Sequence, residues 1–435
     1  MNHSNHWRRR DLLSLAAVYW PAAALAQESG AAALPPLPEA AVRVMTPPPR
    51  HHFFGYYGIP PWNASQTRLV CLESDFQDRL PAQGEKARIG LVDAGKGGFE
   101  PLAETAAWNF QQGCMLFWRP LAADREILFN DRRERGFITV VMDVESGRQR
   151  ELPRAIAAVG NRGQYGLCID YGRQGRMRKV VGYAGAEDPY ASQPAPKDDG
   201  VWRMDLRTGE SKLLVSIAEV YERLRGHPLI DGRRHMFFQH AVFNKSDTRF
   251  FFLARVFTDP PRPELESAMF TAATDGSALR EVIPFGRGVS HFEWRNDREI
   301  IATFRMEGSR EKLHVLFHDG EGDYQVLGRG FLTSDGHCSA SPGGEWMVTD
   351  QNVSSAMEKR LLLYHLPTGR GTVLARMPMK EPRYMGGDLR CDLHPRWNRT
   401  GTQICFDALE QRSWSRQLHV ATLRPATSAS ASPGG

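Results

Sequence analysis

Seven times along the chain an apolar anchor residue is followed by a short polar turn and then by a β-rich run, and no other feature restricts the fold so strongly. The units are WNASQTRLVCLE from Trp62, WRPLAADREILFN from Trp118, VGNRGQYGLCID from Val159, FNKSDTRFFFLA from Phe243, WRNDREIIATF from Trp294, ASPGGEWMVTD from Ala340 and WNRTGTQICFD from Trp397. Each of the first six leads into a second strand, a glycine-containing turn and another strand, as in ITVVMDVESGRQREL and LLLYHLPTGRGTVL, while the seventh stops at QLHVATL. Such units, recurring at roughly 40–60 residues, are the signature of a β-propeller. The expectation is an all-β, seven-bladed β-propeller over residues 51–424. A ring with an open edge is an aggregation hazard, so the missing last strand must come from elsewhere. HHFFGYYG, residues 51–58, is the segment expected to supply it. One helix is predicted, SIAEVYERLRG at 216–226, in an insertion between blades.

The flanks have a different composition. Residues 1–26 combine Arg8, Arg9 and Arg10 with a short apolar run ending in Ala24-Leu25-Ala26, the pattern of an export leader cleaved before Gln27, and the paired arginines point to the twin-arginine route. Residues 27–50 read as an Ala/Pro-rich linker and residues 425–435 as a disordered tail. The expected location is periplasmic or secreted, with no membrane span once the leader is removed. The formal charge of +5 falls once the leader's arginines are gone, which permits an acidic ligand. No basic run is interleaved with aromatics, so a nucleic-acid partner is excluded. Oligomeric state leaves no signature. Cys71, Cys168 and Cys405 lie in strand-like apolar runs, where a buried thiol is the usual occupant.

Four histidines occupy one repeat position: His240, His291, His337 and His394 each stand three residues before an anchor. One repeat position in successive blades maps onto one ring around the channel, so these imidazoles should converge. A propeller histidine often only ties blades together, but here the last four blades carry it and earlier ones do not, Met115 holding the place in the second. That one-sided clustering favours a site. Three imidazoles and an oxygen suit manganese, iron or zinc, and Asp392, two residues before His394, can supply the oxygen. Cys338 and Cys391 stand beside the ring, and thiolate ligation would favour zinc. Asn109, Gln111 and Gln112, ahead of an anchor, are candidates to hydrogen-bond hydroxyls. Arg255, with Arg233, Arg234 and His235, is a candidate to meet a carboxylate.

The stretches SHFEW, DGHCSASPGGEWMVTD and DLHPRWNRTGTQICFD resemble those of the oligogalacturonate lyases, seven-bladed propellers that cleave oligouronides by β-elimination with bound manganese; the likeness is strongest over 227–423. The resemblance implies His291 and His394 as metal ligands. This chain has Asp392 where the family has a second histidine, no glutamine counterpart in GGDLRCD, and Ala254-Arg255 where the family's catalytic histidine ends the strand FFLAR. Secreted ulvan lyases, which use histidine, tyrosine and arginine, are similar in architecture. The implied activity is metal-assisted β-elimination on an acidic poly- or oligosaccharide, with manganese or zinc at His291, His337, His394 and Asp392. His240 would be the base, Arg255 an electrostatic partner, and Asn109, Gln112, Arg234 and His235 would bind substrate. Tyr56, Tyr57 and Tyr183 remain open as acids. The competing reading is a non-catalytic, TolB-like propeller that binds a glycan or a protein.

Overall fold

The computed structural model describes residues 36–425 apart from residues 135 and 186; the leader at 1–26 and all but the first residue of the tail lie outside them. Seven four-stranded antiparallel sheets follow one another along the chain, and the molecule is an all-β, seven-bladed propeller. Six of the anchors are the last residue of an innermost strand, as in Arg396–Trp397, while Trp62 forms an isolated bridge to Leu69.

The anchors show why the repeat looks as it does. The indole N–H groups of Trp118, Trp294 and Trp397 donate to the carbonyls of Pro61, Val242 and Ser339, at 2.8, 3.1 and 3.0 Å. Each of those carbonyls comes one residue before the preceding blade's anchor, so a tryptophan at this place sews two blades together. The polar turns that follow are closed by asparagines: Asn63, Asn244 and Asn398 each accept from two backbone N–H groups four and five residues on.

The second strand of blade four, Arg249–Phe257, is apolar on both faces because blades pack on both sides of it. Successive side chains point opposite ways. Phe250, Phe252 and Ala254 enter one core cluster while Phe251 and Leu253 enter the neighbouring one. Burying each phenylalanine contributes about 2–3 kcal/mol.

Ring closure differs from the sequence expectation. Glu39–Val44 pairs antiparallel with Arg416–Arg424, from Glu39 opposite Arg424 to Val44 opposite His419, and supplies the outermost strand of blade seven. His51–Phe53 is instead the innermost strand of blade one, paired with residues Leu72 to Ser74. The propeller therefore begins before residue 51, inside the segment expected to be a linker. As a sheet edge EAAVRV keeps its side chains largely exposed or half-exposed, so it lacks the apolar alternation that marks an inner strand.

From Phe53 the chain turns into the central channel. Phe54 and Gly55 N–H groups donate to the Asp407 carboxylate, which pairs with Arg396 at 2.9 Å, and both charged side chains are fully buried. Arg396 Nε also donates to the Tyr56 carbonyl at 2.7 Å. Gly55 and Gly113, both at positive φ, pass so closely that a Cβ on either would lie 2.3 Å from the other strand's backbone. Tyr56 and Tyr57 are thereby fixed at the axis.

The predicted helix is present as Ile217–Arg223, with Ser216 Oγ capping it by accepting from Glu219 N–H. A second helix, Tyr171–Met177, capped by Asp170, opens the insertion between the second and third strands of blade three. Among the described residues no helix is long and apolar enough to cross a membrane. All six cysteines are buried free thiols.

Candidate metal centre and cavity

His291, His337 and His394 stand one or two residues before their innermost strands, and His240 sits at a bulge within Phe237–Phe243. His240 and His394 adopt positive φ of 59° and 45°, and Met115, at the same repeat position in blade two, has 51°. A non-glycine residue held there costs on the order of 1 kcal/mol. Met115 shares it, whereas His291 and His337 at the same repeat position do not, so the conformation is tied neither to histidine nor to every blade. All four imidazoles line one cavity of about 420 Å³, together with Tyr56, Tyr57, Gln111, Gln112 and a set of cations.

Three of the predicted ligands come together. His337, His394 and Asp392 offer donor atoms within 4.8 Å of one another. The Nε2 atoms of His337 and His394 face each other at 3.2 Å, the separation of two ligands sharing one ion at about 2.1 Å each. His337 Nδ1 lies 3.0 Å from Asp350, so the carboxylate accepts its N–H and leaves Nε2 bare. Asp350 is itself fixed by the N–H groups of His337, Leu393 and His394. His394 Nδ1 is buried with no partner, and burial holds this imidazole well below its usual pKa, hence neutral and able to ligate. Asp392 is braced by the buried ammonium of Lys359 at 2.6 Å and by Arg390 at 2.5 Å. The donor set fits a divalent cation.

His291 is not part of that cluster. Its Nδ1 lies 2.7 Å from Asp335, which also accepts from Ser290, Thr303 and Lys312. Burial raises the Asp335 carboxyl, but His291 and Lys312 outweigh it and hold the group well below the usual range. Ionised Asp335 therefore accepts the hydrogen bond from Nδ1–H, and His291 Nε2 is bare, on a ring that is 23% exposed.

His240 has both ring nitrogens engaged. Arg255 can only donate, so its bond to Gln239 Oε1 at 2.6 Å turns the Gln239 amide N–H toward His240 Nε2, 2.8 Å away. Nε2 is then an acceptor, and neutral His240 carries its proton on Nδ1, donating to Tyr56 Oη at 2.8 Å. Burial keeps His240 well below its usual pKa and raises that of Tyr56. The Tyr56 hydroxyl proton is consequently free to point into the cavity. Tyr57 Oη accepts from Phe292 N–H at 3.2 Å, and its ring lies against His291, His337 and His394.

Positive charge is left uncompensated. Arg255 is 3% exposed, its Nε has no partner, and no carboxylate pairs with it among the described residues. Arg178, which follows the blade-three helix, lines the cavity without an ion pair among the described residues, and burial and then the Arg390 charge lower its pKa to about 10. Burial and the Arg178 charge depress Arg255 as well. By contrast Asp335, Asp350 and Asp392 are all paired.

Other predicted residues stand elsewhere. Asn109 closes its own loop, accepting from the Gln111 and Gln112 N–H groups, and does not line the cavity. Arg234 is drawn away by Asp231 and Asp259, and His235 by Arg176; neither reaches the cavity. Gln112 does line it, beside Gln174. Tyr183 is tied to Asn130 and stacked on Tyr171. Cys338 and Cys391 are thiols whose pKa burial raises, and neither joins the donor cluster. Sequence reasoning missed Arg178, Gln239, Asp335, Asp350, Lys359 and Arg390. Asp335 and Asp350 flank His337 within SDGHCSASPGGEWMVTD, and a search for acids near each ring histidine would have found them.

No family model matches the sequence, and no curated protein matches it. Solved structures do match in fold. An oligogalacturonate lyase in complex with manganese superposes with a TM-score of 0.61 at 16% identity, covering 90% of this chain and 97% of that one. Oligogalacturonate lyase from Vibrio parahaemolyticus gives 0.60 at 12% identity, covering 88% and 93%. The β-propeller domain of the Trilobed protease from Pyrococcus furiosus gives 0.50 at 10% identity, covering 85% and 97%. At such identities the likeness is one of architecture.

Proposed function

We propose that the chain is a carbon–oxygen lyase that cleaves uronate-containing oligo- or polysaccharides by β-elimination, with a divalent cation held by His337, His394 and Asp392. The observation that carries the reading is the pair of guanidinium groups, Arg178 and Arg255, with no anion paired to either among the described residues, in the wall of a cavity that also holds three clustered metal donors. Burying unpaired charge is costly, and a ligand carboxylate removes that cost.

β-Elimination requires loss of the C5 proton, which is only weakly acidic until the adjacent carboxylate is neutralised. Arg255, held through Gln239, and Arg178 would donate charge-assisted hydrogen bonds to that carboxylate. A cation held by His337, His394 and Asp392 would supply Lewis acidity. Two imidazoles and a carboxylate suit zinc as well as manganese. A cavity of about 420 Å³ suits one or two sugar rings. The arginine-bearing leader supports a periplasmic or secreted location.

The test is to incubate purified protein and manganese or zinc with pectic, ulvan, glucuronan and alginate substrates, following the ultraviolet absorbance of the unsaturated uronide. The expected result is product from at least one, abolished by a chelator. No product from any of them sinks the reading, and a folded protein that also binds no metal points to a non-catalytic glycan-binding propeller.

A further inference from the structure

The channel continues on the far side of the Tyr56–Tyr57 pair. Both tyrosines line the charged cavity and also a second one of about 160 Å³, so their stacked rings, 5.0 Å between centres, divide the channel in two. The innermost strands run from one half to the other: His291 lines the first cavity, Phe292 and Glu293 the second. The wall of the second is aromatic, made by Phe117, Trp118, Phe243 and Phe292 with the two tyrosines. One acid interrupts it. Glu293 is 9% exposed, and its Oε1 accepts from the Lys245 ammonium at 2.7 Å, but no group among the described residues donates to its Oε2. Gly58, at a φ of 74°, passes beside that oxygen, and a Cβ there would lie 2.6 Å from it, so the absence of a side chain keeps the oxygen uncovered. Lys245 and Arg399, the cations of this cavity, are both exposed, and Arg399 also donates to the Asn63 and Trp62 carbonyls. Water screens exposed charges. The demand of a buried carboxylate oxygen for a donor is the larger effect.

We infer that this second cavity is a binding site for a small organic ammonium ion with an aromatic or branched apolar body, whether or not the chain is a lyase. The ammonium donates to Glu293 Oε2 while Lys245 keeps Oε1, and the body is buried against the aromatic wall. A volume of about 160 Å³ lies below the range of about 300–1,000 Å³ that takes drug-sized ligands, which limits the occupant to roughly one ring and a short chain. An inorganic cation would leave the aromatic wall unused. A neutral ring would leave Glu293 Oε2 without a charged donor, and a carboxylate would be repelled by it. The first cavity does not take the same ligand, because Arg178 and Arg255 line it and repel an ammonium.

Isothermal titration of the purified protein with phenethylammonium chloride tests it, with 2-phenylethanol and 3-phenylpropionate as neutral and anionic counterparts of similar size. Phenethylammonium should bind one to one and at least about tenfold tighter than 2-phenylethanol, the lower end of what a hydrogen bond to a charged group is worth. Saturating manganese should not compete, since its donors face the other cavity. Glu293→Gln should weaken phenethylammonium about 10- to 100-fold. Lys245→Met should bind it at least as tightly as the wild type, because both oxygens of Glu293 are then open. Circular dichroism and melting check that each variant is folded; should Glu293→Gln not fold, Lys245→Met and the comparison of amine with alcohol decide. Equal binding of amine and alcohol, or an undiminished amine affinity in folded Glu293→Gln, overturns the inference and leaves a merely apolar pocket. Tighter binding of 3-phenylpropionate, or loss of amine binding in Lys245→Met, overturns it in favour of an anion site built on Lys245 and Arg399. No detectable binding of phenethylammonium overturns it outright, and every one of these results leaves the lyase reading where it stood.

Discussion

The Arg396–Asp407 pair that anchors the channel segment gives a quantitative prediction. Both side chains are fully buried and 2.9 Å apart. Asp407→Asn keeps an oxygen that can accept from the Phe54 and Gly55 N–H groups but leaves the guanidinium without its counter-charge. Breaking a buried pair from one side costs about 3–5 kcal/mol, a large part of a typical stability of about 5–15 kcal/mol. Adding Arg396→Leu removes the stranded charge. It also removes the donor to the Tyr56 carbonyl, a loss of about 1 kcal/mol. The double variant should therefore be more stable than Asp407→Asn alone by at least about 2 kcal/mol, a net figure from those two effects. Urea unfolding followed by tryptophan fluorescence and circular dichroism measures all corners of the cycle. A double variant as unstable as, or less stable than, Asp407→Asn would show that the pair's electrostatics do not hold the segment, and the reasoning would be refuted.

Three further outcomes are expected. Arg178→Gln should weaken binding of uronate ligands about 10- to 100-fold, the worth of one charge-assisted hydrogen bond, with metal content unchanged; isothermal titration with a saturated uronide measures it. His419 is 3% exposed, and burial lowers its pKa from 6.5 to about 4 against the opposing bond to the Gln417 carbonyl. The unfolded chain then binds the extra proton between those values, so this group's contribution is present above pH 6.5 and is lost as pH falls toward 4. Its size is on the order of 3 kcal/mol, and denaturant unfolding of H419Q should show a correspondingly shallower loss over that window. Thiol titration should find none of the six cysteines reactive in the native state and all six after denaturation without reductant; a shortfall would mean that some had paired.

The blades were legible in the sequence because an apolar anchor and a polar turn after it recur in every blade. In three blades the anchor is a tryptophan that sews to the previous blade, and in three the turn is closed by an asparagine. The ring position of His240, His291, His337 and His394 followed from the same periodicity. What periodicity does not carry is which neighbour each nitrogen meets. His291 and His337 occupy one repeat position, yet Asp335 holds the first and Asp350 the second. Arg178 arrives from an insertion that has no counterpart in other blades. Glu39–Val44 was hidden because an outer strand facing water needs no apolar pattern, and Tyr171–Met177 because two glycines within seven residues weaken any helical propensity.

Pairing of Glu39–Val44 with Arg416–Arg424 joins the earliest described strand of the polypeptide to the latest. On a ribosome the first of these must wait, unmatched, for nearly the whole remaining chain to be made, so circle completion is the slowest local contact to satisfy and the last seam to set. Conversely, a short peptide bridge between the two termini, with new ends cut at an exposed turn between other blades, should turn that late event into an ordinary hairpin and speed maturation of the whole barrel of sheets.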